Sequence, residues 1–118
     1  MKNEQKAALR DLLDGMLVEV TQARIDKGMQ GEARLCPVAI ALGDLSNDKV
    51  KWSRVAVERK SWKAICKYED SQFLVTGINS DLVMNFIDTY DDEGKDEVKP
   101  ISFPLSGLEV RDESNPRF

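Results

Sequence analysis

The chain contains no histidine. Imidazole is the usual general base at neutral pH and the commonest metal ligand, so Ser-His and Cys-His nucleophile activation and most zinc sites are removed together. Cysteine is nearly as scarce. Cys36 and Cys66 are the only two, too few for a disulfide scaffold, and a reducing compartment would keep them as thiols. No apolar run approaches the roughly 18 residues of a membrane span. No glycine-rich phosphate loop is present either, since Gly28 and Gly31 stand without the motif around them. The opening Met1-Lys2-Asn3-Glu4-Gln5-Lys6 carries both signs of charge and leads into an amphipathic pattern, not an apolar signal core. A cytoplasmic protein with no cofactor and no metal is expected.

What is present fits a soluble globular chain. At 118 residues there is room for one domain, because two separate cores would each be too small to be stable. Hydrophobic residues make up 42% and charged residues 32%, which provides a core and a solvated surface. The net charge of −4 is unevenly laid out. Residues 49–67 hold seven basic side chains against Glu58 alone, and residues 81–99 hold seven acids against Lys95 and Lys99. A positive side and a negative side follow from that layout.

The apolar spacing of Leu9, Leu12, Leu13 and Met16 predicts a first helix over about 3–15, capped by Asn3 and ending near Gly15. Leu17–Val20 reads as a short strand. Thr21 suits the N-cap of a helical turn Gln22–Lys27, with Gly28 in a left-handed closing position. Pro37 suits the first position of a second helix, where its missing N–H has no intrahelical partner to lose. Val50, Trp52, Val55 and Val57 suggest a strand with a bulge near Ser53-Arg54, and residues 62–68 alternate as a cleaner one. A further β-like run covers 73–78. Leu82, Val83, Phe86, Ile87 and Tyr90 then mark one face of a helix capped by Asn79 or Ser80, with Ile78 and Val83 spaced as a hydrophobic staple. Residues 91–97 read as an acidic loop, and 100–105 as an edge strand limited by its prolines. The expected class is α+β: an N-terminal helix, then β-α-β-β-α-β with an extra β segment before the last helix. That order is compatible with a ferredoxin-like split βαβ unit. One domain over 1–107 and a polar tail over 108–118, its last residues disordered, complete the expectation.

Two surfaces could carry function. The first is acidic and comprises Asp88, Asp91, Asp92, Glu93, Asp96 and Glu97, suited to a basic protein partner. The order of those acids lacks the D-x-D-x-D-G pattern of a calcium loop. The second is basic and comprises Lys51, Arg54, Arg59, Lys60, Lys63 and Lys67, interleaved with Trp52, Trp62 and Tyr68, a composition suited to nucleic acid or a nucleotide. Strand alternation puts Trp62 and Tyr68 on one face with Ala64 and Cys66, which favours core for the aromatics and water for the lysines. Cys36 before Pro37 is placed where a helix dipole would favour a thiolate, but no general base is at hand, and packing under the 29–35 loop is the expected role.

Residues 20–42 include Thr21, Ile25-Asp26-Lys27-Gly28 and Cys36-Pro37-Val38-Ala39-Ile40-Ala41-Leu42. Further on come Asp81-Leu82-Val83, Phe86-Ile87-Asp88, Tyr90-Asp91, Val98 and Pro100-Ile101-Ser102-Phe103. In that order they form the pattern T-x-x-x-I-D-x-G, C-P-x-A-x-A-L, F-I-D-x-Y-D, P-x-S-F. The chain thereby resembles a group of small proteins encoded by tailed bacteriophages and prophages. Together with the small size, the absent catalytic constellations and the two-sided charge, the resemblance favours a non-catalytic phage accessory protein in the host cytoplasm that binds a host protein, for example a defence or transcription factor. It implies no biochemical activity and gives the Cys-Pro pair no role. Members of the group often have a shorter, less acidic turn where this chain has residues 91–97.

Overall fold

The structure, a computed structural model, describes residues 2–112. The α+β class is as expected: the described residues form four α-helices, a 3₁₀ turn and six strands in two antiparallel sheets. Helix α1 (Lys2–Leu13) buries Leu9 and Leu13 and stops before Gly15, whose φ of 79° turns the chain into β1 (Leu17–Val20). Asn3 lies inside that helix instead of capping it. Thr21 caps α2 (Gln22–Lys27) through its hydroxyl, which accepts from the Arg24 N–H. Pro37 opens α3 (Pro37–Gly43) as expected.

Strands β2 (Val50–Val57), β3 (Ser61–Tyr68) and β4 (Ser71–Ile78) form a meander, and the register of β2 shifts between Trp52 and Arg54 where the bulge was expected. Trp62, Ala64, Cys66, Phe73 and Val75 fill the inner face, with the Trp52 ring 5.7 Å from that of Trp62. Lys51, Arg54, Lys63 and Lys67 alternate onto the outer face. Gly77 stands opposite Trp62, and a Cβ there would lie 2.3 Å from the indole. Glycine at that position makes room for the ring.

The pairing is not the interleaved order of a ferredoxin-like unit. β1 leaves the main sheet and pairs with β5 (Ile101–Pro104), while the second sheet runs β2-β3-β4-β6. A second correction concerns residues 108–112, expected as tail. Leu108 is buried, and β6 (Glu109–Asp112) pairs antiparallel with β4. An open β4 edge offers backbone partners that the local sequence does not advertise. The disorder expected at the end of the tail concerns residues outside those described.

Gly28 also departs from expectation. Its φ is −67°, extended and not left-handed. The reason for glycine is contact: a Cβ at Gly28 would lie 2.6 Å from two carbons of the Pro37 ring. The two halves of the 20–42 pattern therefore touch each other, closing the 29–35 loop. Because alanine tolerates that backbone conformation, Gly28→Ala should cost about 1–3 kcal/mol through the clash alone. Urea denaturation checks this, and adding Pro37→Ala should recover part of the loss. An unchanged midpoint in Gly28→Ala would remove the contact from the account.

Candidate functional site at the acidic end of the last helix

Helix α4 (Asp81–Glu93) starts at Ser80, whose hydroxyl accepts from the Val83 N–H. It buries Val83, Phe86, Ile87 and Tyr90, and the Phe86 and Tyr90 rings stack 6.2 Å apart. The staple did not form. Ile78 is 64% exposed, and Ser80 as cap puts Ile78 one position too early to meet Val83.

The helix also runs further than expected. Asp91, Asp92 and Glu93 belong to its last turn, and Asp96 and Glu97 to the 3₁₀ turn Lys95–Glu97 that follows Gly94. What extends it is the 29–35 loop. The Gln30 side-chain amide donates to the carbonyls of Tyr90 (3.0 Å), which also accepts the Gly94 N–H, and of Asp91 (3.2 Å), in the last turn of the helix. The Gly31 N–H donates in turn to the Asp91 carboxylate at 3.0 Å. Asp88, one turn earlier, takes both of its bonds from Arg59 Nε at 2.9 and 3.0 Å.

The six acids are not brought into one place. Asp88, Asp91 and Asp92 line a cleft of about 450 Å³ with Glu32, Glu58 and Cys36. Glu97 and Lys99 rim a smaller groove of about 220 Å³, lined by Leu82, Phe86, Val98 and Ile101, in which Leu82 is 50% exposed. Glu93 and Asp96 line neither. An apolar groove with a charged rim was not legible in the sequence, where Leu82 reads as core.

The basic set divides as well. Lys51 and Lys67 are direct cross-strand neighbours and share a cavity of about 430 Å³ with Lys49, Tyr68 and two acids, Asp48 and Glu69. Arg54 and Lys63 lie further along the same outer face, whereas Arg59 and Lys60 occupy the β2–β3 turn. Trp62 is buried on the opposite face, so it offers no stacking platform to a base. Arg59, bound to Asp88, joins the two expected charge sets.

Cys36 is the N-cap of α3, 7% exposed at the floor of the acidic cleft, and its side chain makes no capping bond. Burial raises its pKa, the Ala39 and Val38 N–H groups offset part of that, and the Asp91 carboxylate raises it further. Desolvation thus outweighs the helix start, and the thiol stays protonated. The Tyr90 hydroxyl is likewise pushed up by burial, by Cys36 and by Asp91. Burial pushes the Cys66 thiol from 9.0 to about 12. Among the described residues no three Cys, Asp or Glu come together as a metal site, and no helix is long and apolar enough to cross a membrane. Compared with family models, with curated proteins and with solved structures, the chain matches none.

Both thiols make a prediction about pH. A thiol with a higher pKa folded than unfolded holds its proton better when folded, so its contribution is complete below the unfolded value and lost as pH rises through the folded one. Stability should therefore decline between about pH 9 and about pH 12 through Cys66. Unfolding midpoints measured across that range should fall more steeply in the parent than in Cys66→Ala. Equal slopes would remove Cys66 as the cause. In the same vein, iodoacetamide should label Cys36 slowly at neutral pH, and labelling at the rate of a free thiol would contradict its burial.

Proposed function

We propose that this chain is a non-catalytic phage or prophage accessory protein that binds a host protein through the acidic end of α4. The observation that carries the reading is three carboxylates, Asp91, Asp92 and Glu93, in the last turn of a helix with no basic residue in that turn. A helix C-terminus is already the negative end of the macrodipole, and each added negative charge there costs about 0.3–1 kcal/mol. Asp91 recovers something from the Gly31 N–H. Asp92, Glu93, Asp96 and Glu97 are exposed and make no ion pair among the described residues. A cationic partner surface would relieve that repulsion and speed encounter. The groove under Glu97 adds an apolar anchor next to the charge, the arrangement of a desolvated centre within a polar rim. A host defence or transcription factor, whose nucleic-acid-facing surface is basic, has the matching chemistry, and the host cytoplasm is where the two would meet. Missing imidazole and two protonated thiols support a binding role over catalysis.

One observation favours a second reading, nucleic-acid binding. Lys51 stands directly opposite Lys67, and like charges so placed repel. A phosphate backbone along the outer face would relieve them as well.

A pull-down from expressing host cells names the partner, and charge reversals then separate the readings. Asp92→Lys with Glu93→Lys should weaken a host-protein complex at least tenfold. The same changes should raise the melting temperature, because they remove charge that opposes the dipole. Asp91 is spared in this design since it holds the loop. A complex that survives these changes but is lost with Lys51→Glu and Lys67→Glu, and that weakens steeply with salt, would establish the nucleic-acid reading instead.

A further inference from the structure

The sheet order β2-β3-β4-β6 leaves two outer edges. The β2 edge is occupied at several points: Ala33 takes the Val57 N–H, the Ser46 hydroxyl takes the Trp52 N–H, and Asn47 reaches Val50. The β6 edge is different. Among the described residues no strand, loop or side chain bonds to its outer side, although its backbone groups point there. Its side chains alternate: Val110 packs inward against the core, and Glu109 and Arg111 face out, opposite Thr76 and Leu74. Glu109 and Arg111 are 57% and 65% exposed, with Arg111 Nε 2.6 Å from Glu109 Oε1 within the strand.

That sequence is self-complementary. Two antiparallel copies of β6 related by a two-fold axis at Val110 put Val110 opposite Val110 and Glu109 opposite Arg111, twice. Each charge then has an opposite charge as its direct cross-strand neighbour, and both stay on the outer face. We infer that two copies of this chain associate through β6, in antiparallel register about Val110, joining the two four-stranded sheets into one. The partner is a second copy because the edge offers the same pair of charges in the reversed order that a two-fold axis demands. Any other strand would need an acid and a base at the same spacing. Helix α1 runs beside β6, with Lys6 on Asp112 at 3.1 Å, so the shared edge is held in place from one side.

Four residues per strand bury less than the roughly 1,200 Å² of a standard interface, so the dimer should be weak, with a Kd on the order of 100 µM. Sedimentation velocity on the parent chain from about 5 to about 500 µM covers that range. The weight-average mass should climb from that of the 13.3 kDa chain towards twice that value. Glu109→Arg alone and Arg111→Glu alone set like charges against each other at both symmetric positions, and each should raise Kd roughly tenfold. The double exchange Glu109→Arg with Arg111→Glu restores the opposite pairs and should restore the parent Kd. Loss of the exposed pair within the strand has little weight in stability, so far-UV circular dichroism should be the same in all four proteins. Amide exchange gives an independent reading: protection over residues 109–112 should grow with concentration in the parent and not in the single variants. A parent that stays monomeric to the top of the range overturns the inference. So do single variants that dimerise as well as the parent, or a double exchange that does not recover.

Discussion

The contact of Gly28 with the ring of Pro37 is what the arrangement around α4 depends on. Two sequence segments on either side of a loop meet at a distance that only a missing Cβ allows. With α2 thus seated against α3, the 29–35 loop becomes a short closed excursion, tied across its neck by the Met29 N–H to the Leu35 carbonyl. Its tip then has fixed places to bond. Ala33 extends the β2 edge through the Val57 N–H, and Gln30 and Gly31 reach the end of α4. Arg24 reinforces the same corner by donating to the Asp44 carboxylate and to the Glu19 carbonyl. A larger residue at position 28 would push the loop outward and free the end of α4, so a steric condition far from the acids controls how they are presented.

That control matters because the end of α4 is electrostatically unfavourable. Aspartate is a poor helix former, and three acids at the negative pole oppose the dipole. Against this stand two hydrogen bonds from Gln30 to the last carbonyls, one from Gly31 to a carboxylate, and the burial of Phe86, Ile87 and Tyr90 beneath them. Burial of two aromatic rings and an isoleucine amounts to several kcal/mol at roughly 1.5–3 kcal/mol each. Packing therefore wins over charge, and the helix carries its carboxylates to Glu93 where they remain available for contact.

Local chemistry was legible in the sequence where a residue acts on its own neighbours. Thr21 and Ser80 as caps, Pro37 at a helix start, the irregularity near Ser53 and the Val83, Phe86, Ile87, Tyr90 face all follow from spacing within a few residues. What the sequence did not disclose depends on distant partners. Gly28 does end α2 as expected, but local reasoning ascribes the glycine to a left-handed backbone and knows nothing of the Pro37 ring. Residues 91–93 looked like loop because composition opposes helix there and Gln30, which extends it, lies far back in the chain. β1 with β5 and β4 with β6 are pairings across long separations, and four-residue strands carry too weak a pattern to announce them. The acidic residues were visible as a run in sequence. Their division between a cleft and an apolar groove on two flanks of one helix required the fold.

The same distinction bears on the expected two-sided charge. Counting along the chain separates residues 49–67 from residues 81–99, yet the fold brings Arg59 onto Asp88, its Nε–H shared between both carboxylate oxygens. Asn79 holds that junction from beneath, its side-chain amide donating to the carbonyls of Glu58 and Arg59 and its backbone N–H to that of Lys60. The β2–β3 turn is thus fastened to the start of α4 at one end of the helix, as the 29–35 loop is fastened at the other. Arg59 is consequently engaged with an acid of its own chain, and its removal from the basic set leaves Lys60 in the turn, the outer-face lysines and Arg54 to carry any positive surface. On the acidic side the same pair takes Asp88 out of contention, which leaves the charge available for contact on Asp92, Glu93, Asp96 and Glu97, with only Lys95 and Lys99 near them in the chain and no ion pair among the described residues.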